Sequence, residues 1–104
     1  MNIKIIHTTT NTKKNADSIS KYLLKYNLSP CIQIFPKINS IYKWKGKIKQ
    51  TKEILISIKT CEKNVEQCKN IIIKHHNYEI PELIISNFKI ATEDYTKWFK
   101  ENMD

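Results

Sequence analysis

No arginine occurs anywhere in the chain; all eighteen basic residues are lysine. A formal charge of +8 would ordinarily invite a nucleic-acid partner, but lysine lacks the planar fork that grips phosphate and guanine best. Isoleucine and asparagine are inflated alongside lysine, the pattern an A/T-rich coding sequence produces without functional pressure. No nucleic-acid partner is therefore expected. Glycine occurs once, at Gly46, which excludes a glycine-rich phosphate loop. Cys31, Cys61 and Cys68 are odd in number and form no C-x-x-C pair, which argues against a disulfide framework or a zinc knuckle. No apolar run approaches the roughly eighteen residues of a membrane span, and no signal sequence opens the chain. These absences predict a cytoplasmic protein with no membrane contact, and 104 residues suffice for one domain spanning 1–104.

Charge placement is more telling than its sum. Residues 1–50 hold ten lysines against Asp17 alone, whereas residues 51–104 hold eight lysines against nine acids. Lysines spread over a solvated face are the commoner meaning of such an asymmetry.

Periodicity sets the order of elements. "IKIIHTTT" from Ile3 is a β-branched strand, followed by a helix on Ala16, Ile19, Leu23 and Tyr26, capped by Asn11 or Thr12 and stopped before Pro30. "CIQIF" is a second strand ending near Pro36. Around Gly46, Tyr42, Trp44 and Ile48 alternate with lysines, as in a β-hairpin. The return arm "KEILISIKT" puts Ile54, Ile56 and Ile58 on one face. Thr60 is placed to cap a helix carrying Cys61, Val65, Cys68 and Ile72, and "ELIISNF" after Pro81 is the fourth strand. Thr92 caps a last helix with Tyr95, Trp98 and Phe99. Two βα crossovers joined by a hairpin make the α+β, ferredoxin-like βαββαβ sandwich, with an extended hairpin and a C-terminal helix. Helices on one face leave the other to solvent or to another subunit.

Three histidines are the candidate chemistry. His75 and His76 are adjacent and would point about 100° apart on a continuing helix; unwinding at His76 would let them converge, with His7 at the end of the first strand as a third nitrogen. Equally, one of the pair could close the helix through a charge–dipole interaction, with His7 a half-buried strand residue. Cys31 beside Pro30 has the best claim of the three thiols to be a thiolate, but no base or orienting group for nucleophilic catalysis accompanies it, so no catalytic residues are assigned.

The segments "SPCIQIFPKINSIYKWKGKIKQTKEILISIKT", "HHNYEIPELI" and "ATEDYTKW" closely resemble the CutA family of divalent-ion tolerance proteins. The resembling parts are the Cys31–Pro36 run, the Ser40–Ile48 hairpin, Ile58–Lys59–Thr60, the run His76–Glu82, and Tyr95 with Trp98. The resemblance implies a cytoplasmic, non-enzymatic homotrimer akin to the PII signalling proteins, acting in metal-ion tolerance. It also implies copper or another divalent metal as the bound ion, with His7, His75 and His76 as metal ligands. A PII-like small-molecule sensor with incidental metal binding is the alternative. Two places depart from the family pattern. Asn77 stands where a proline usually follows the second histidine, and "HTTTN" lacks the usual proline and acidic residue.

Overall fold

A computed structural model describes residues 2–103. Four strands, β1 (Ile3–Thr10), β2 (Cys31–Trp44), β3 (Lys47–Cys61) and β4 (Ile84–Asn87), form one antiparallel sheet in the order β2-β3-β1-β4. Helices α1 (Lys13–Lys25) and α2 (Val65–His75) connect them, and α3 (Glu93–Glu101) follows β4. This is the ferredoxin-like βαββαβ arrangement with a C-terminal helix.

Alternation along the central pair divides the core in two. Ile6, Thr8 and Thr10 of β1 lie opposite Ile58, Ile56 and Ile54 of β3. They meet Ala16, Ile19 and Leu23 of α1 and Cys68 and Ile72 of α2 in the main cluster. The intervening residues face the other way. There Ile3 and Cys61, paired in the sheet, are covered by Phe99 of α3 and by Met103, with Phe88 and Ile90 beside them. The expectation that helices occupy one face only is thus corrected: α3 crosses to the second face, because its own apolar stripe needs a surface that α1 and α2 have left free. It covers only one end of that face. Phe35, Ile84 and Trp98 remain exposed.

Three local expectations also change. Helix α1 ends before the proline can act: Asn27 adopts φ 56, and Leu28 N–H bonds to Leu23 O at 3.0 Å while Asn27 N–H bonds to Leu24 O at 3.1 Å. This Schellman closure also packs Leu28 beside Leu23 in the core. Thr60 caps nothing; it is the buried penultimate residue of β3, and its Oγ1 donates to Leu28 O at 2.6 Å. Cys61 therefore belongs to a strand, and the two thiols sit in separate cores, Cys61 under α3 and Cys68 under α1 and α2. Burial pushes the Cys68 thiol up to about 11. The N-caps Thr12 and Thr92 are as expected, each accepting from the backbone N–H three residues on.

Strand β2 does not stop at Pro36 but runs through it to Trp44. Its register against β3 shifts between Phe35, opposite Leu55, and Ile38, opposite Glu53, so β2 carries one extra residue there. A bulge suits proline, which has no N–H to give to a ladder. The insertion reverses the alternation: odd residues face away from α1 and α2 before it, even residues after it. Ile38, Ser40, Tyr42 and Trp44 consequently share a face with Glu53, Thr51, Lys49 and Lys47. The hairpin closes through Lys45 and Gly46 with φ of 50° and 77°, the two left-handed residues of a type I′ turn.

Lys45 bears a left-handed conformation that asparagine adopts more readily. Lys45→Asn should raise stability by up to about 1 kcal/mol, read as a higher urea midpoint at unchanged m-value. Leu23→Ala, which empties the site shared by the core and the Schellman closure, should cost about 2–5 kcal/mol in the same titration.

Candidate functional site

The three histidines leave the protein surface at different places. His7 lies on the second face of the sheet, between Ser57 and Ile84, and its Nε2 is 3.1 Å from Ser57 Oγ. His75, the last residue of α2, stacks on Tyr22 of α1 with ring centroids 3.8 Å apart and planes 12° from parallel. Helix α2 does unwind at His76, whose φ and ψ are −73° and 141°. The unwinding carries His76 to the end of β1, where its Nε2 lies 2.8 Å from Thr9 O, and leaves His75 on Tyr22. Among the described residues no three His, Cys, Asp or Glu side chains gather into a metal-holding group. His7, His75 and His76 are therefore not assembled around one point within a single subunit.

His76 has both ring nitrogens engaged, which fixes its tautomer. Tyr78 N–H donates to Nδ1 at 3.0 Å, so Nδ1 carries the lone pair and Nε2–H donates to the Thr9 carbonyl. Burial lowers its pKa below the usual imidazole value, while the Thr9 carbonyl and the Glu53 charge push the other way. Tyr78 then reaches the hairpin, where its hydroxyl donates to Glu53 Oε2 at 2.5 Å. Burial and the Glu53 carboxylate raise the Tyr78 pKa far above its ordinary value, so the phenol remains a donor. A continuous relay, Thr9 to His76 to Tyr78 to Glu53, thus ties the segment after α2 to both β1 and the hairpin.

The two departures noted in the sequence meet in space. Asn77 Nδ2 donates to Asn11 Oδ1 at 2.8 Å, and Thr10 Oγ1 lies 3.1 Å from Asn77 Oδ1. Asn15 Nδ2 completes the junction by donating to His75 O at 2.9 Å, closing the end of α2. Side-chain amides hold this turn.

The relay borders a cleft of about 880 Å³ between the hairpin and residues 77–82, lined by Tyr42, Trp44, Glu53, Tyr78 and Glu82 among others. Sequence reasoning named His76 and the hairpin aromatics but not Glu53 or Tyr78. Tyr78 was visible in the family-like run; Glu53 gains Ile38 as its β2 partner through the bulge, and Pro36 marks an interruption of the strand without marking its length.

In the unfolded chain His76 titrates near 6.5, and in the fold it titrates lower. As pH falls through about 6.5 the unfolded state therefore takes up the proton first, and stability is lost until the folded-state value is passed. The midpoint of urea unfolding should drop between pH 7.5 and 5.5, and His76→Gln should flatten that drop while lowering stability at pH 7.5.

Comparison with known proteins agrees with this architecture. The sequence profile described as "CutA1 divalent ion tolerance protein" matches residues 4–102. The Divalent-cation tolerance protein CutA of Thermus thermophilus is 27% identical over 95% of this chain and 96% of its own length. The Protein CutA homolog of Danio rerio is 32% identical over 86% of this chain, which spans only 60% of that longer protein. Among solved structures, the divalent ion tolerance protein CutA1 of Ehrlichia chaffeensis superimposes with a TM-score of 0.90 at 32% identity, covering 99% of this chain and 96% of its own. CutA of Xylella fastidiosa does so at 0.92 and 29%, over the full length of both chains. A sheet with this order, a hairpin of this length and a profile match from the first strand to the last helix lead to one assignment: the chain belongs to the CutA1 divalent ion tolerance family.

Proposed function

We propose that the chain is a non-enzymatic, cytoplasmic homotrimer that binds a divalent metal ion, copper foremost, and serves metal-ion tolerance. The family match over residues 4–102 carries the tolerance role. Assembly is supported by the second face of the sheet, where α3 leaves Phe35 and Ile84 exposed and the hairpin adds Tyr42 and Trp44. Apolar surface of that kind on one side of a sheet calls for a protein partner. The count of three follows the PII-like resemblance. Three thiols with no disulfide partner are compatible with a reducing compartment.

Copper is the favoured ion because imidazole suits Cu(II), and His7, His75 and His76 are the ligands proposed. An ion entering at His76 Nδ1 has to displace the Tyr78 N–H, so metal uptake competes with the relay that fixes the segment after α2. His7 lies on a different surface, and sharing an ion with the His pair requires that segment to move or a neighbouring copy to contribute. Metal binding and assembly are linked on this view. A second reading, a PII-like sensor of a small molecule with incidental metal binding, is favoured by the cleft beside Tyr78.

Sedimentation at micromolar concentration should give a trimer, and Trp44→Ala should weaken it while helix content holds; a stable folded monomer would contradict the assembly. Calorimetry with Cu(II) should show affinity falling below pH 6.5 as protons compete for imidazole. His7→Ala and His76→Ala should each weaken binding by about tenfold or more. Unchanged affinity in the double variant would remove these ligands.

A further inference from the structure

The cleft between the hairpin and residues 77–82 reverses the sign of its surroundings. In a chain of formal charge +8, its lining includes Glu53, Glu79 and Glu82 against Lys49 alone. Carboxylates grouped on a surface would mean little by themselves, but here they stand in a concavity with three aromatic rings, Tyr42, Trp44 and Tyr78, and the apolar side chain of Ile80. Ring faces attract cations and accept aliphatic stems. The volume, about 880 Å³, falls in the range of small-molecule sites and far exceeds the needs of a bare ion.

One carboxylate in the cleft is preorganised. Glu53 sits on β3 with Oε2 held by the Tyr78 hydroxyl at 2.5 Å. Tyr78 is anchored in turn through its N–H to His76 Nδ1, and His76 to the Thr9 carbonyl of β1. The second Glu53 oxygen and the remaining lone pairs stay available to a donor. A charged donor is the stronger partner for a fixed carboxylate, and the Tyr78 ring at Glu53, with Tyr42 close to it, favours a cation with a short apolar stem over a hydrated metal ion. We propose that this cleft binds a small organic cation of the alkylammonium class, its ammonium donating to Glu53 and its methylene chain lying against Tyr42 and Tyr78.

The proposal gives the small-molecule reading a ligand class and rests on that reading; it does not depend on copper at the histidines. Calorimetric titration of the full chain with 1,5-diaminopentane at physiological ionic strength tests it, beside pentanedioate, which has the same length and the opposite charge. Saturable diamine binding is expected. Glu53→Gln keeps an acceptor for the Tyr78 hydroxyl and so should fold normally, yet it should weaken the diamine by about tenfold or more. Glu66→Gln, on the exposed face of α2, should leave binding unchanged. Equal weakening by Glu66→Gln reduces the effect to surface electrostatics and overturns the proposal. Binding of pentanedioate in place of the diamine overturns the ligand class and leaves the small-molecule reading standing. Binding of neither overturns the proposal and removes the cleft as support for a sensor.

Discussion

The antiparallel pairing of β1 with β3 is the constraint from which the rest follows. Its register, Ile6 opposite Ile58 and His7 opposite Ser57, sends one set of side chains into the core under α1 and α2. The other set goes to a face that α3 covers only in part. A slip of one residue would flip one strand relative to the other and put either Ser57 and Lys59 or His7 beneath the helices. The seal at Ser29 and Thr60 helps prevent that slip. Ser29 Oγ donates to Lys59 O at 2.5 Å and Thr60 Oγ1 to Leu28 O, locking the end of α1 to β3.

The bulge in β2 is the second determinant. Without the extra residue at Pro36–Lys37, Tyr42 and Trp44 would face the side that Ile41 and Ile48 now occupy, away from the Glu53 face. One inserted residue, costing a ladder bond or two, therefore composes the cleft. The segment after α2 closes it from the other side: His76 ties that segment to the end of β1, and Tyr78 ties it to Glu53 of the hairpin.

The order of elements, the hairpin at Gly46 and the caps at Thr12 and Thr92 were legible because each is a local device: a period, a turn residue, a hydroxyl before an apolar run. The side on which α3 packs was not, since its Phe99 stripe reads the same whichever face receives it. Thr60 misled for a related reason. A threonine before a helical pattern is a cap by sequence, but here the chain stays extended through Cys61 and enters α2 by a 3₁₀ turn at Glu62–Asn64. The unwinding at His76 was readable from Asn77 and Pro81; where each ring would go depended on Tyr22 and Thr9, 53 and 67 residues away in sequence.

The bulge also acts on the outside of the sheet. β2 is an edge strand, and its outward backbone groups are open to strand addition. The extra residue breaks the repeat of that edge, so it is divided into the stretch before Phe35 and the stretch after Ile38. A strand added to either stretch cannot slide into the other without losing its ladder. The edge thus works as a ruler with a stop at its middle, fixing by backbone geometry alone the alignment at which another chain can join.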